Sequence, residues 1–260
     1  MTLLGHERYC REIAEQTGMI RRLLADADLS TPVPTCPGWS LATLVRHVAG
    51  NLHTLDAAVR NGSADAPDTP VPADTGRDAE KPGVLDAWLA DGATRCAASL
   101  RKAGADVEVS VWGLEQLSGA WARRAAHDAA VHRADAAFAL GQGYTLAQDL
   151  AADAVDELLE LFQDLRDSVP RLAGLRGRNR SIHLHATDTP PELTAEWLIE
   201  LEPEGFAWRR AHAKAGVALR APLADLLLIL YRRLPPTTAR AQIIGEKEIL
   251  DFWLDNAVLE

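Results

Sequence analysis

The chain is poor in cysteine, and its three residues, Cys10, Cys36 and Cys96, are odd in number and widely spaced. They form no CxxC pair and no disulfide framework, which points to a reducing cytosol. Long apolar runs are missing too. The best candidate, "APLADLLLILY", is too short for a membrane span and contains Asp225. The opening residues, "MTLLGHERYCREIAEQTG", carry charges where a signal peptide needs an apolar stretch. Nor is there an excess of positive charge. The formal net charge is −10, which argues against a nucleic-acid backbone as the partner. Lysine is scarce beside alanine, arginine and aspartate, as in GC-rich bacterial genomes. No internal repeat and no low-complexity tail is found. These absences leave a soluble, cytoplasmic protein, and 260 residues allow one large domain or two modest ones.

Helical periodicity dominates the first two thirds. Tyr9, Ile13, Ile20, Leu23 and Leu24 recur at a spacing near 3.6 within residues 6–27. "LSTPVPTCPGW" breaks the chain, and Ser40 is placed to cap a second helix. That helix presents Leu41, Leu44, Val45, Val48, Leu52 and Leu55 and stops at Asn61-Gly62. Residues 62–83, rich in Pro, Asp, Ala and Gly, read as a long exposed loop of the kind that is often functional. A third helix spans 84–103, "VEVSVW" is a short extended segment, and a further helix covers 117–140. "QGYTLAQDLAADAVDELLELFQDLRDS" reads as an amphipathic helix with its acidic residues outward. A helical bundle over residues 1–168 is the natural packing. The Pro/Gly/Arg-rich residues 169–178 read as a linker. Beyond it, "SIHLHAT", the hairpin "AEWLIELEPEGFAWRRA", "GVALRAP" and "RAQIIGE" are strand-like, with helices at "LADLLLILYRRL" and "KEILDFWLDNAV". Residues 179–260 are therefore expected to form a small α+β domain.

The chemistry concentrates in "RRAAHDAAVHRADAA", residues 123–137. Asp128 and His132 stand four apart and share one helix face. Either they are a solvated ion pair or they are two ligands of a metal site. His47, mid-helix among apolar residues, is the best third donor. His53 lies about 120° away around the same helix, so both cannot face one ion. Two histidines and a carboxylate suit Zn²⁺, and also Ni²⁺ or Fe²⁺, and three protein ligands leave an open position. Other candidates have blander readings. His127 points about 100° away from Asp128 and reads as a surface or inter-domain contact. His183 and His185 share one side of a strand and read as part of a polar face. Cys36, in a turn with no adjacent base, reads as structural.

"VPTCPGWSLATLVRHVAG" followed by "WARRAAHDAAVHRADAA" resembles the mycothiol-dependent maleylpyruvate isomerase family, and "LADLLLILYRRL" followed by "AQIIGEKEILDFWL" resembles its C-terminal part. The resemblance covers nearly the whole chain. It implies an α+β protein overall: a DinB-like four-helix bundle followed by a small sterol-carrier-like domain. It places the metal ligands on His47, Asp128 and His132, the residues that spacing also selects. Two departures stand out. The family usually has Glu where this chain has Asp128, and a shorter side chain reaches less far. "YRR", residues 231–233, stands where the family tends to show tryptophan, glycine and arginine, so Arg232 replaces a glycine.

The resemblance further implies a divalent metal, usually zinc, and mycothiol as thiol cosubstrate, hence an actinobacterial source. The expected activity is isomerisation or thiol transfer on a small electrophilic, anionic substrate, with no nucleic-acid or membrane partner, in a monomer or homodimer. Arg233, Arg124 and Arg46 are the candidate cations for such a substrate, and Asp135 is a candidate to orient a ligand. Two other readings stand beside this one: a non-catalytic, stress-related metal-binding member, and a metal-dependent hydrolase using bound water.

Overall fold

A computed structural model describes residues 4–67, 82–177 and 180–258. The chain divides into two compact units, residues 1–144 and 145–260. Among the described residues no helix is long and apolar enough to cross a membrane.

The first unit is built on four long helices: α1 (His6–Leu24), α2 (Leu41–Asn61), α3 (Pro82–Ala103) and α4 (Ser118–Ala139). Ser40 caps α2 as its position suggests, with its Oγ accepting from Thr43 N–H at 3.3 Å. Gly62 ends the helix in a left-handed conformation, its N–H donating to Ala58 O at 2.7 Å. The apolar residues read from helical spacing, Tyr9, Ile13, Ile20, Leu44, Val48 and Leu52, meet in one core. A small sheet of β1 (Ser63–Ala64), β2 (Glu108–Val111) and β3 (Leu114–Leu117) accompanies the bundle. Strands β2 and β3 join through Trp112 and Gly113, both at positive φ (50° and 76°), the two-residue turn whose twist suits a hairpin. Residues 68–81 of the expected loop lie outside the described residues.

The second unit starts earlier than the bundle pattern suggested. Helix α5 (Gln148–Asp164) buries Ala151, Val155, Leu158, Leu159 and Phe162 in the core of this unit, against the strands. Its acids are not all outward: Asp153, Asp156 and Glu157 are buried. Asp156 accepts from Trp197 Nε1 (2.7 Å) and from Arg210 Nη2 (3.0 Å) and Nε (3.1 Å), so a patterned acidic face is in part an interior ion pair. Nor are residues 169–177 a spacer. They include the short α6 (Pro170–Ala173) and place Leu172 and Leu175 in the same core.

The sheet of this unit has the order β6-β5-β4-β7-β8, from β4 (Arg180–Ala186), β5 (Glu196–Glu202), β6 (Gly205–Arg210), β7 (Val217–Ala221) and β8 (Gln242–Gly245). Strands β4 and β7 pair in parallel and the other neighbours antiparallel. Helices α7 (Leu223–Leu230) and α8 (Lys247–Asn256) complete it. Alternation sends Ile182, Leu184 and Ala186 of β4 into the core and leaves His183 and His185 on the opposite face. After α7, Arg232 takes φ 61°, a left-handed conformation that suits the glycine it replaces, and its guanidinium donates to Leu254 O.

Candidate metal centre

The centre begins in the loop before α2. Gly38 at φ 83° lets the chain turn back tightly, with Trp39 N–H donating to Cys36 O (3.0 Å) and Val33 N–H to Trp39 O (2.9 Å). The loop lays Thr35, Cys36 and Trp39 against helix residues distant in sequence. Thr35 Oγ1 donates to Asp135 Oδ1 at 2.6 Å, and Cys36 Sγ lies 3.4 Å from Asp135 Oδ2. The Trp39 ring sits 4.9 Å from that of His47 and stacks on His132 at 6.0 Å.

Helix α4 brings its polar groups inside because alanine lets its neighbours close in. Ala122, Ala126, Ala129, Ala130 and Ala134 are all buried, and α4 packs against α1, α2 and α3. The Asp128/His132 pair is therefore not a solvated surface pair: His132 is only 6% exposed.

His47 from α2 and Asp128 and His132 from α4 each bring a donor atom within 4.8 Å of the others. His132 Nε2 lies 3.8 Å from Asp128 Oδ1, and the rings of His47 and His132 are 4.8 Å apart. In a tetrahedral zinc site with bonds near 2.0–2.1 Å, ligand atoms stand about 3.4 Å apart. At that spacing the shorter aspartate would need only a small adjustment to serve as a ligand. Asn51 Nδ2 lies 3.1 Å from His47 Nε2, one turn further along α2.

Behind His132 stands Asp135, fully buried, with Oδ2 2.9 Å from Nδ1. With Nδ1–H donated there, the Nε2 lone pair is left toward Asp128 and His47, the arrangement that orients metal-bound imidazoles. Burial alone would raise the Asp128 carboxyl. The protonated forms of His132 and His47, with Arg124, outweigh it and hold Asp128 below the ordinary carboxylate range. Arg124 contributes through a direct hydrogen bond, Nη2 to Asp128 Oδ1 at 3.1 Å.

The other sequence candidates fall elsewhere. His53 is fully buried, stacked on Trp88, with Nε2 3.0 Å from Trp88 O. Gly92 of α3 makes room for it: a Cβ there would come within 3.0 Å of the ring. His127 is fully buried edge-on to Tyr9, not at the surface. Arg233 belongs to the second unit, where its Nη1 donates to Tyr231 O at 2.9 Å. Cys36, His132 and Asp135 form a second convergent set, in which the Cys36 thiol donates to a carboxylate 99 positions on.

Residues 10–137 match the model of the mycothiol maleylpyruvate isomerase N-terminal domain, and residues 149–252 match that of the corresponding C-terminal domain. The chain belongs to the mycothiol maleylpyruvate isomerase family. The two family domains correspond to the two units, the second match opening at the start of α5. Solved structures agree on the fold. A crystal structure of the mycothiol-dependent maleylpyruvate isomerase is 16% identical, with a TM-score of 0.60 over 95% of this chain and 97% of that one. A histidine-to-alanine mutant of that enzyme gives 15% and 0.59 over the same shares. A search of curated proteins gives no match.

Proposed function

We propose that this chain is a mycothiol-dependent isomerase or S-transferase acting on a small, electrophilic, anionic substrate at a divalent-metal site made by His47, Asp128 and His132. The reading is carried by the convergence of those three donors within 4.8 Å, with Asp135 fixed behind His132. Zinc suits two imidazoles and a carboxylate, and Ni²⁺ and Fe²⁺ are the alternatives. A divalent ion held by these three residues would lower the pKa of a bound thiol and so supply thiolate at neutral pH.

The protein groups have separate tasks. Asp135 holds the Nδ1 proton of His132 and thereby its ligating tautomer. Arg124 keeps Asp128 anionic, the form that binds a cation. Arg124 is the cation assigned to the negative charge of the substrate. The thiol sulfur attacks an electrophilic carbon of the substrate: a C–S bond forms and the π pair moves onto the conjugated carbonyl. Rotation about the resulting single bond, then C–S cleavage, returns the thiol and leaves the isomer. Release of the protonated adduct instead gives net transfer.

The test is metal content and turnover in untagged protein beside Asp128→Ala and His132→Ala. Both variants are expected to lose one divalent ion per chain and to drop mycothiol-dependent turnover by about 100-fold or more. Wild-type protein that takes up no ion sensitive to these substitutions would overturn the reading. Turnover that is independent of thiol would replace it with metal-assisted hydrolysis.

A further inference from the structure

A second constellation lies in the sheet of the C-terminal unit and plays no part in the reading above. His185 of β4 stands directly opposite Glu196 of β5, and His183 follows on the same face two residues back. Ala211 N–H donates to Glu196 O at 3.0 Å, which extends the pairing past β6 and brings the next residue, His212, over Glu196. Three imidazole nitrogens surround one carboxylate oxygen. His183 Nε2 is 2.7 Å, His185 Nδ1 2.8 Å and His212 Nδ1 2.6 Å from Glu196 Oε2. The ring centroids are 5.4–6.1 Å apart.

We propose that His183, His185, Glu196 and His212 form a second divalent-metal site, a closed four-donor centre of zinc type that shares no ligand with His47, Asp128 and His132. The four donor atoms lie within 4.8 Å of one another. The carboxylate oxygen occupies the middle of the three nitrogens, where a cation would be coordinated. As a hydrogen-bonded cluster the arrangement is poorly satisfied. His183 and His212 are aligned to bond with Oε2, but buried His185 Nδ1 is out of line and makes no hydrogen bond among the described residues. Three imidazolium charges around one carboxylate would repel one another, whereas neutral imidazole is the ligating form.

An ion at that point needs the nitrogens to close from 2.6–2.8 Å to about 2.0–2.1 Å, movements of under about 1 Å, and needs Glu196 Oε2 to swing about 2 Å off centre. Three donors are fixed on paired strands. The fourth, His212, has a side chain 78% exposed and offers the ion a way in from solvent. With all four positions taken by protein, the site would tie β4, β5 and the segment after β6 together, the usual work of closed zinc centres.

The experiment is Zn²⁺ titration of chelator-stripped, untagged full-length protein, repeated with Co²⁺ for its visible spectrum. Two zinc equivalents are expected in the wild type and one in His47→Ala/His132→Ala. His212→Ala, at a surface position that leaves folding intact, is expected to bind one, as is His185→Ala, and the two sets combined none. Cobalt absorption should persist in His47→Ala/His132→Ala and vanish when His212→Ala is added. The proposal is overturned if His47→Ala/His132→Ala binds neither ion, or if uptake is indifferent to both His185→Ala and His212→Ala. One wild-type equivalent, lost in His212→Ala and kept in His47→Ala/His132→Ala, would support this site while overturning the one on α2 and α4.

Discussion

Each unit buries a carboxylate at its centre, and the two are put to different use. Asp156 in the sheet unit is saturated by fixed donors: the Trp197 indole N–H at 2.7 Å and the Arg210 guanidinium at 3.0–3.2 Å. Arg210 is in turn held by Leu193 O (2.7 Å) and Ala152 O (3.2 Å). Every donor in that network is an indole or a guanidinium held by the fold, so it serves packing and register. Asp135 in the helical unit is just as buried, but its partners are an imidazole, a hydroxyl and a thiol. It fixes one nitrogen of His132 and leaves the other with a lone pair. A carboxylate against arginine closes a network, whereas a carboxylate against histidine passes its influence to the far side of the ring.

The contrast is open to direct attack, and Asp156→Ala is the strongest blow. It strands the part-buried Arg210 cation and is expected to cost the second unit about 3 kcal/mol in urea unfolding. Metal bound through His47 and His132 should be unchanged in protein that remains folded. If Asp156→Ala instead abolishes that metal and leaves stability intact, the division of labour is wrong. Asp135→Asn should behave in the opposite way. It keeps the shape but weakens the hold on His132, and metal affinity should fall about 10–100-fold with the circular dichroism spectrum retained. An unchanged affinity would reduce Asp135 to a packing residue.

The mildest test uses an exposed pair as the baseline. Arg21 forms a forked pair with Asp86 at 2.6 and 2.8 Å, and its hydrogen bond holds the Asp86 carboxyl below its ordinary value against a small opposing effect of burial. The sign follows from that depression: the contribution is present above about pH 4 and is lost as pH falls through the folded-state value. Both side chains are about 40% exposed, so Arg21→Gln should cost under about 1 kcal/mol at pH 7, and nothing at a pH below both values. A loss of several kcal/mol would mean that exposed pairs here do the same work as Asp156.

What the sequence made legible follows from distance along the chain. Asp128 and His132 are one helical turn apart, and His47 lies in the middle of an unambiguous amphipathic helix, so all three could be selected by period alone. Thr35 and Cys36 could not be joined to Asp135, because the contact spans about a hundred residues and depends on the positive φ of Gly38. Strand β3 left no trace because Leu114–Leu117 is exposed throughout and shows no alternation. The unit boundary was misplaced for a different reason. Helix α5 has the apolar stripe of a bundle helix, and nothing in its own residues tells that the stripe faces strands or that Asp156 turns inward to Trp197 and Arg210. His183 and His185 were visible as neighbours on a strand face, but Glu196 and His212 join them only through strand pairing.

The empty side of Gly92 reaches further than its size suggests. The spacing between α2 and α3 at this level is set by a hydrogen atom, since any larger group would press on His53 or on the Ala49 carbonyl at 3.3 Å. His47 sits on the same rigid rod six residues upstream, about 9 Å away along the axis. A wedge at Gly92 therefore acts on a lever whose other arm carries His47, a proposed ligand. In a genetic screen for lost metal, Gly92 would score alongside the proposed ligands though it touches none of them, and a smaller side chain at His53 would be its natural suppressor.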